Sequence, residues 1–399
     1  MPGMTRADRL DPLAAEIFLR RAALACPRSA ILPNLVAAAE RWSHIADRLQ
    51  RYETFEPNAE RTKEADRAAS GMPRSETDEG AAGVRPNLWM DGVGLHSHLL
   101  QPPQAARSPA PATLHHAFRL ASAAALPTTS SRVFRALDLD DLESPTARAI
   151  ARLARRAGDN AIAAFYEAAA TRISQLEYLH IQRFDRVFVG SPADAEWLAA
   201  HHATADIRIL PNVVDVPPLP CRPRRSGPFR LLFVGALDYY PNIDALRRLT
   251  DGILPALASI RPGSFELHVV GRGGPAWLHK RLGRSPGTVV HGAAPSMTPH
   301  LEAADALIAP IGAGGGTRIK LLEAFAAGIP VITSRIGAAG LAVTHGDHLL
   351  IAEENEEFIE TCRACIDDPE GIRPLATRAH QFVTNHHHPT AFTDAITRP

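Results

Sequence analysis

The 399-residue chain has only four cysteines, Cys26, Cys221, Cys362 and Cys365, too few to staple a chain of this length with disulfides. Cys362 and Cys365 form a C-x-x-C, but it lies in an expected helix, FIETCRACIDD, with no second pair to complete a zinc site. No apolar run reaches the ~18 residues that a membrane-spanning helix requires. Net charge is also lacking: Lys+Arg and Asp+Glu are both 43, so nothing global attracts nucleic acid and any basic surface must be local. The opening stretch, MPGMTRADRLDP, carries no apolar segment of the kind a secretory leader needs. The expectation is therefore a cytoplasmic, reduced protein. His96 and His98, His201 and His202, and His386 to His388 have no carboxylate or cysteine at ligand spacing, so no metal is expected.

What is present is ordinary globular material, 45% hydrophobic and 22% charged, in a length that suits two domains. Residues 1–135 fit no tidy pattern beyond helix-like spacing over 12–50. Residues 51–88 are polar and short of apolar side chains, and read as a long loop or disordered insertion. From Arg132 order returns: VFRALDL predicts a strand, DDLESPT a turn, and Thr146–Tyr178 a long helix whose Arg148, Arg152 and Arg155 form a basic stripe. That stripe is either a solvated face or a peripheral contact with the anionic inner face of a membrane. RVFVG predicts a strand, Ser191 caps the next helix, and IRILPNVVDV is a strand running into a loop.

Residues 217–228, PPLPCRPRRSGP, read as an interdomain linker. It separates an N-terminal domain (1–216) from a C-terminal one (229–385), with a tail, 386–399, returning towards the first. Beyond the linker, short apolar strands (FRLLFVG, FELHVVG, TVVHG, ALIAPI, PVITS, HLLIA) alternate with helices over 241–259, 275–283, 296–303, 317–327 and 354–366. Such alternation predicts an α/β fold with a parallel sheet covered by helices, and ligands at the carboxyl ends of its strands.

One loop in that series carries chemistry. ALIAPI runs into Gly312-Ala313-Gly314-Gly315-Gly316-Thr317-Arg318-Ile319-Lys320. Glycines let backbone N–H groups approach a ligand closely, and a helix start presents unpaired N–H groups and a positive dipole end. Gly314, Gly315, Gly316 and Thr317, with Arg318 and Lys320 adding charge, make a site for phosphate oxygens. Glu323 lies about one turn beyond Lys320. The loop is neither a Walker loop nor a dinucleotide fingerprint.

VGALDYYPNIDAL, VVGRGG, Asp305–Pro310, GGGTRIKLLEAFAAGIPVITS and GAAGLAVTHGDHLL follow one another as in group 1 (family 4) retaining glycosyltransferases, which the chain resembles over roughly 183–370. The resemblance implies a GT-B fold, two facing Rossmann-like domains with parallel sheets. It also implies a nucleotide-diphosphate sugar as donor, a glycan or lipid-linked acceptor, retention at the anomeric carbon, and no obligatory metal or cofactor. Glu323 matches the second glutamate of the family's E-x7-E motif, which holds the donor ribose. Gly315 stands where the first would be, so that contact falls to backbone N–H groups or is missing. Relatives carry an Arg and a Lys after the first strand of the donor domain. Ala236 to Asn242 contain neither, which leaves Arg318 and Lys320 to neutralise the diphosphate. Gly235, Gly271, Arg272 and Gly292, each after a strand, are expected around the nucleotide. Relatives also offer a cleft-facing histidine in the first domain. Here Asp138, Asp140 and Asp141 stand in that region, Asp140 being the chosen candidate for an acceptor contact or base; otherwise they form a solvated turn and helix cap. The competing readings are a GT-B sugar-nucleotide epimerase and a non-catalytic nucleotide-sugar-binding relative.

Overall fold

The computed structural model describes residues 114–120, 123, 134–202, 206–220 and 226–391. All of them belong to one compact unit, Gly80–Ala395. The readings made for residues 1–113, including the 51–88 segment and the His96/His98 pair, lie outside the described residues, as do 221–225 of the proline-rich stretch.

Among the described residues there are two separate sheets, each wholly parallel. The first holds β1 (Leu114–Phe118), β2 (Phe134–Asp138), β3 (Arg186–Val189) and β4 (Asp206–Ile209) in sequential order. The second holds β5 (Phe229–Val234), β6 (Phe265–Val270), β7 (Thr288–Gly292), β8 (Ala306–Ala309), β9 (Val331–Thr333) and β10 (Leu350–Ile351) in the order β10-β9-β8-β5-β6-β7. Parallel strands need covered faces, and the sequence supplies them as nearly continuous apolar runs: all four residues of β8 are buried, and so are all three of β9. The chain moves outward from β5 through β6 to β7, then returns to the other side of β5 at β8. That reversal leaves a crevice beyond the carboxyl ends of β5 and β8, the switch point at which such sheets bind ligands.

Between β2 and β3 the expected single helix, 146–178, is corrected to two: α1 (Glu143–Arg156) and α2 (Asn160–Ile181). Gly158 takes φ +81°, and the N–H of Asp159 reaches back to the carbonyl of Ala154 at 2.9 Å. This glycine stop fixes α1 against α2 as a hairpin. Arg148, Arg152 and Arg155 of α1 are exposed, and Arg155 pairs with Glu167 at 2.6 Å. Among the described residues no helix is long and apolar enough to cross a membrane. After β3 comes α3 (Pro192–His201), capped as expected by Ser191, whose Oγ accepts the Asp194 N–H at 3.2 Å.

In the second sheet the helix expected over 241–259 is interrupted. It runs as α4 (Tyr240–Arg248), a π turn (Leu249–Ile253) and α5 (Leu254–Ile260). Pro255 lacks an N–H and cannot continue the α-helical ladder, which accounts for the widened turn before it. The remaining helices are α6 (Ala276–Leu282), α7 (Thr298–Ala303), α8 (Ile319–Ala326), α9 (Arg335–Ala338), α10 (Asn355–Asp367) and α11 (Arg373–His386). The start expected at Thr317 moves to Ile319, because Arg318 is the extended cap residue (φ −81°, ψ 95°). Cys362 and Cys365 are buried free thiols on α10, and burial pushes the Cys365 thiol up to about 12. α11 packs on α8, and beyond its end His387 accepts the Val214 N–H at 2.9 Å and bonds through Nδ1 to the carbonyl of Asn212 at 2.7 Å.

Candidate functional site

The loops after β5 and β8 meet at the switch point. The loop after β8 is anchored from β9: Thr333 Oγ1 donates to the Ala309 carbonyl at 2.7 Å, and Ser334 Oγ to the Ile311 carbonyl at 2.5 Å. Beyond these anchors the glycines make the turn, with Gly316 at φ +61°, which a larger residue would resist. Among the described residues, nothing accepts a hydrogen bond from the backbone N–H groups of Gly314, Gly315, Gly316 or Thr317. A run of such donors at a switch point favours an anion.

The two expected cations behave differently. Arg318 folds back over the loop, its Nη1 donating to the Gly315 carbonyl and, at 3.1 Å, to that of Gly316. Its guanidinium therefore rigidifies the loop. Burial lowers its pKa while Tyr239, Asp141 and Asp194 oppose that. Lys320 instead points across to the loop after β5, where its Nζ donates to Asn242 Oδ1 at 3.0 Å and lies 5.2 Å from the centre of the Phe233 ring. Part of the side chain still reaches solvent. The protein massed around the ammonium nevertheless brings its pKa down to about 7, with Arg318 pushing the same way and Glu323 opposing. Glu323, on α8, thus acts on the lysine across one turn.

The other expected contacts split between packing and exposure. Gly235 donates its N–H to Val270, and Gly271 donates its own to Gly292. A side chain at Gly271 would overlap the Gly235 carbonyl, so this pair lets β5 and β6 end side by side. Arg272 is exposed, and Gly292, at φ +71°, has open space around it. Asp140 lies in the first sheet region, at φ +61°. Arg119 Nη2 donates to it at 2.7 Å and Asn212 Nδ2 at 3.2 Å. Arg119, at φ +63°, is the other non-glycine residue of positive φ among the described residues, so backbone strain gathers in this one cluster.

Of the acidic candidates, Asp141 rather than Asp140 faces the glycine loop, together with Thr146, which sequence reasoning passed over. A side chain at Gly315 would overlap Thr146 Oγ1 and begin 3.3 Å from Asp141 Oδ2, and a Cβ at Gly316 would stand 2.7 Å from Asp141 Cβ. Thr317 Oγ1 donates to the Gly190 carbonyl at 3.3 Å. Asp141 is held by Arg119 at 3.0 Å. Burial pushes its carboxyl up to about 6, against Arg119, and pushes Glu143 beside it up to about 7. Among the described residues no group of His, Cys, Asp and Glu is arranged to hold a metal.

Comparison with known proteins places this geometry. A glycogen synthase of Mycobacterium tuberculosis is 31% identical over 192 residues, 45% of this chain and 45% of that one, so the match spans less than half of the relative. The structure of sucrose-phosphate synthase from Thermosynechococcus elongatus superposes with a TM-score of 0.55 at 16% identity, over 70% of this chain and 71% of that one. HepE of Anabaena, solved with UDP and glucose, gives 0.52 at 15% identity, over 71% and 76%. The fold, α/β with two parallel-sheet domains, is that of GT-B glycosyltransferases. Residues 228–368, which contain β5, β8, the glycine loop, Lys320 and Glu323, match the family of glycosyl transferases group 1.

Proposed function

We propose that the protein transfers a sugar from a nucleotide-diphosphate sugar to a glycan or lipid-linked acceptor, with retention at the anomeric carbon. The observation that carries this reading is the switch-point loop with its unengaged N–H groups at Gly314–Thr317 and Lys320 beside them. Diphosphate oxygens accept from those N–H groups, and the charge that grows on the departing diphosphate is met by Lys320 and by the loop that Arg318 stiffens. Glu323 takes the ribose hydroxyls, while Gly271, Arg272 and Gly292 border the nucleotide. Residues up to 216 form the acceptor side, where Asp140, fixed by Arg119 and Asn212, presents a carboxylate to an acceptor hydroxyl. The exposed arginines of α1 suit a peripheral contact with an anionic membrane that holds a lipid-linked acceptor. No metal or cofactor enters the scheme.

The testing experiment incubates the protein with a panel of nucleotide-diphosphate sugars, UDP-sugars first, with and without oligosaccharide acceptors. Release of nucleoside diphosphate together with an α-linked product from an α-linked donor supports the proposal. Epimer formation without acceptor would replace it. One observation favours a second reading, binding without transfer: Thr146 and Asp141 occupy the space in front of Gly315. Tight nucleotide binding with no turnover on any donor would select that reading.

A further inference from the structure

The chain contains three lysines, Lys63, Lys280 and Lys320, among 43 basic residues. One of the three stands at the switch point, where an always-charged arginine would be the expected choice for an anion. What surrounds it gives a reason. Lys320 donates a hydrogen bond from Nζ to Asn242 Oδ1 at 3.0 Å. The other end of that amide, Nδ2, donates to the Ala236 carbonyl at 2.9 Å. A carbonyl can only accept, so the Ala236 contact fixes which end of Asn242 is nitrogen and turns its oxygen towards the lysine. Asn242 is 5% exposed, so the amide has little freedom to turn away. Room for it comes from Gly235, where any Cβ would stand 2.5 Å from Asn242 Nδ2. The glycine at the end of β5 is therefore explained by the asparagine, and the asparagine by the lysine.

We propose that Asn242 is a positioning residue for the Lys320 ammonium, and that this pair sets the pH range over which a nucleoside diphosphate binds. The proposal rests on the reading that Lys320 meets the diphosphate. The carbonyl oxygen of Asn242 favours the charged amine and aims it along the mouth of β5 and β8. The charged groups acting on the amine are Arg318, which disfavours its charge, and Glu323, which favours it. β5 and α4 face it with Phe233 and Asn242. With a pKa brought down to about 7, Lys320 is charged below neutrality and loses its proton above it. A phosphate that needs the ammonium then binds more weakly, by about tenfold per pH unit once the lysine is neutral.

Three lysines make a direct test practicable. Protein labelled with 13C-lysine is titrated by NMR, and the Lys320 signal is identified by its loss in Lys320→Arg. Its midpoint should lie near neutrality, fall by about one pH unit in Asn242→Ala and rise in Asn242→Asp, at roughly 1.4 kcal/mol per unit. UDP affinity, followed by calorimetry from pH 6 to 9, should decline above the same midpoint and shift with it in both variants. Lys320→Arg should flatten the decline. Thermal melts establish that each variant is folded. A Lys320 midpoint near its ordinary 10.5, or one unmoved by both Asn242 variants, overturns the proposal and leaves Asn242 a packing residue. A midpoint that moves as described while UDP affinity ignores pH would instead retain the Asn242–Lys320 pair and reject the diphosphate reading.

Discussion

Replacing Asp159 with alanine should loosen the contact between the two sheet regions more than any single surface ion pair would. Asp159 ends the α1–α2 turn, and its Oδ2 takes a hydrogen bond from the Tyr240 hydroxyl at 2.6 Å and an ion pair from Arg247. Tyr240 is fully buried and packs in the core of the first sheet region, although it opens α4 of the second. Burial and the neighbouring carboxylate push its phenol well above its ordinary pKa, so it remains a donor. Without Asp159, a buried hydroxyl loses its acceptor, at about 1–3 kcal/mol. Arg247, 19% exposed, also loses its charge-assisted partner, although water replaces part of that. The expected sum is about 3 kcal/mol, or roughly 4–5 °C in melting temperature for a unit of this size. Tyr240→Phe removes the hydroxyl and keeps the ring and the Arg247 pair, so about 1 kcal/mol is expected. Because both changes delete one hydrogen bond, the double variant should cost less than the two combined, by about 1 kcal/mol. Urea denaturation followed by tryptophan fluorescence provides the measurement, since Trp277 lies 4.8 Å beneath the Arg247 guanidinium. Additive losses, or an Asp159→Ala no costlier than Tyr240→Phe, would refute the reasoning.

Other outcomes follow from the same geometry. At pH 6, where Lys320 is charged, Lys320→Ala should weaken UDP and pyrophosphate alike by about ten- to a hundredfold, whereas Glu323→Ala should weaken UDP and leave pyrophosphate nearly unchanged; calorimetry with equal losses throughout would remove both residues from the site. Gly315→Ala should destabilise by about 1–3 kcal/mol through overlap with Thr146 Oγ1, and Thr146→Ala should relieve most of it; denaturation curves without that rescue would count against the close approach. Stability should also depend on pH with two opposite signs. Asp141 and Glu143 have folded pKa values raised to about 6 and about 7, so their contribution is full below about pH 4 and is lost as pH rises through those values, on the order of 3 kcal/mol for Glu143. Lys320 has a lowered value, about 7, so the unfolded chain holds the extra proton between pH 7 and about 10 and stability rises with pH there. Urea midpoints from pH 4 to 10 should pass through a minimum near neutrality, and Glu143→Gln should flatten its acid side.

The second sheet was legible in the sequence because parallel strands must be apolar on both faces, and runs such as FRLLFV and ALIA can hardly be anything else. The glycine loop was legible for a related reason: consecutive glycines at a strand end let backbone approach closely whatever faces it, ligand or neighbouring chain. The break at Gly158 was missed because the basic residues before it sustain a helical pattern, and one glycine does not announce that it will stop the helix. Tyr240 and Asp159 lie 81 residues apart, and no local pattern pairs them. Asn242 stands in a segment whose local signal is its lack of arginine and lysine. Its role needs the fold to bring α8 alongside α4. The same holds for Asp141 and Thr146, whose meeting with Gly315 joins chain segments more than 160 residues apart.

Tyr240 has a consequence for how the chain could be rearranged. Sequence comparison draws a border at residue 228, and a recombination event or a protein engineer would cut there. Packing draws a different border, since Tyr240 and Ala313 count among the core side chains of the region before that cut. A C-terminal half grafted onto a foreign partner would bring along a buried ring with no socket to receive it, and an N-terminal half given away would keep a socket with nothing to fill it. Exchange of halves between relatives is thus restricted to pairs that match at this plug, so shuffling should succeed along lineages and fail across them.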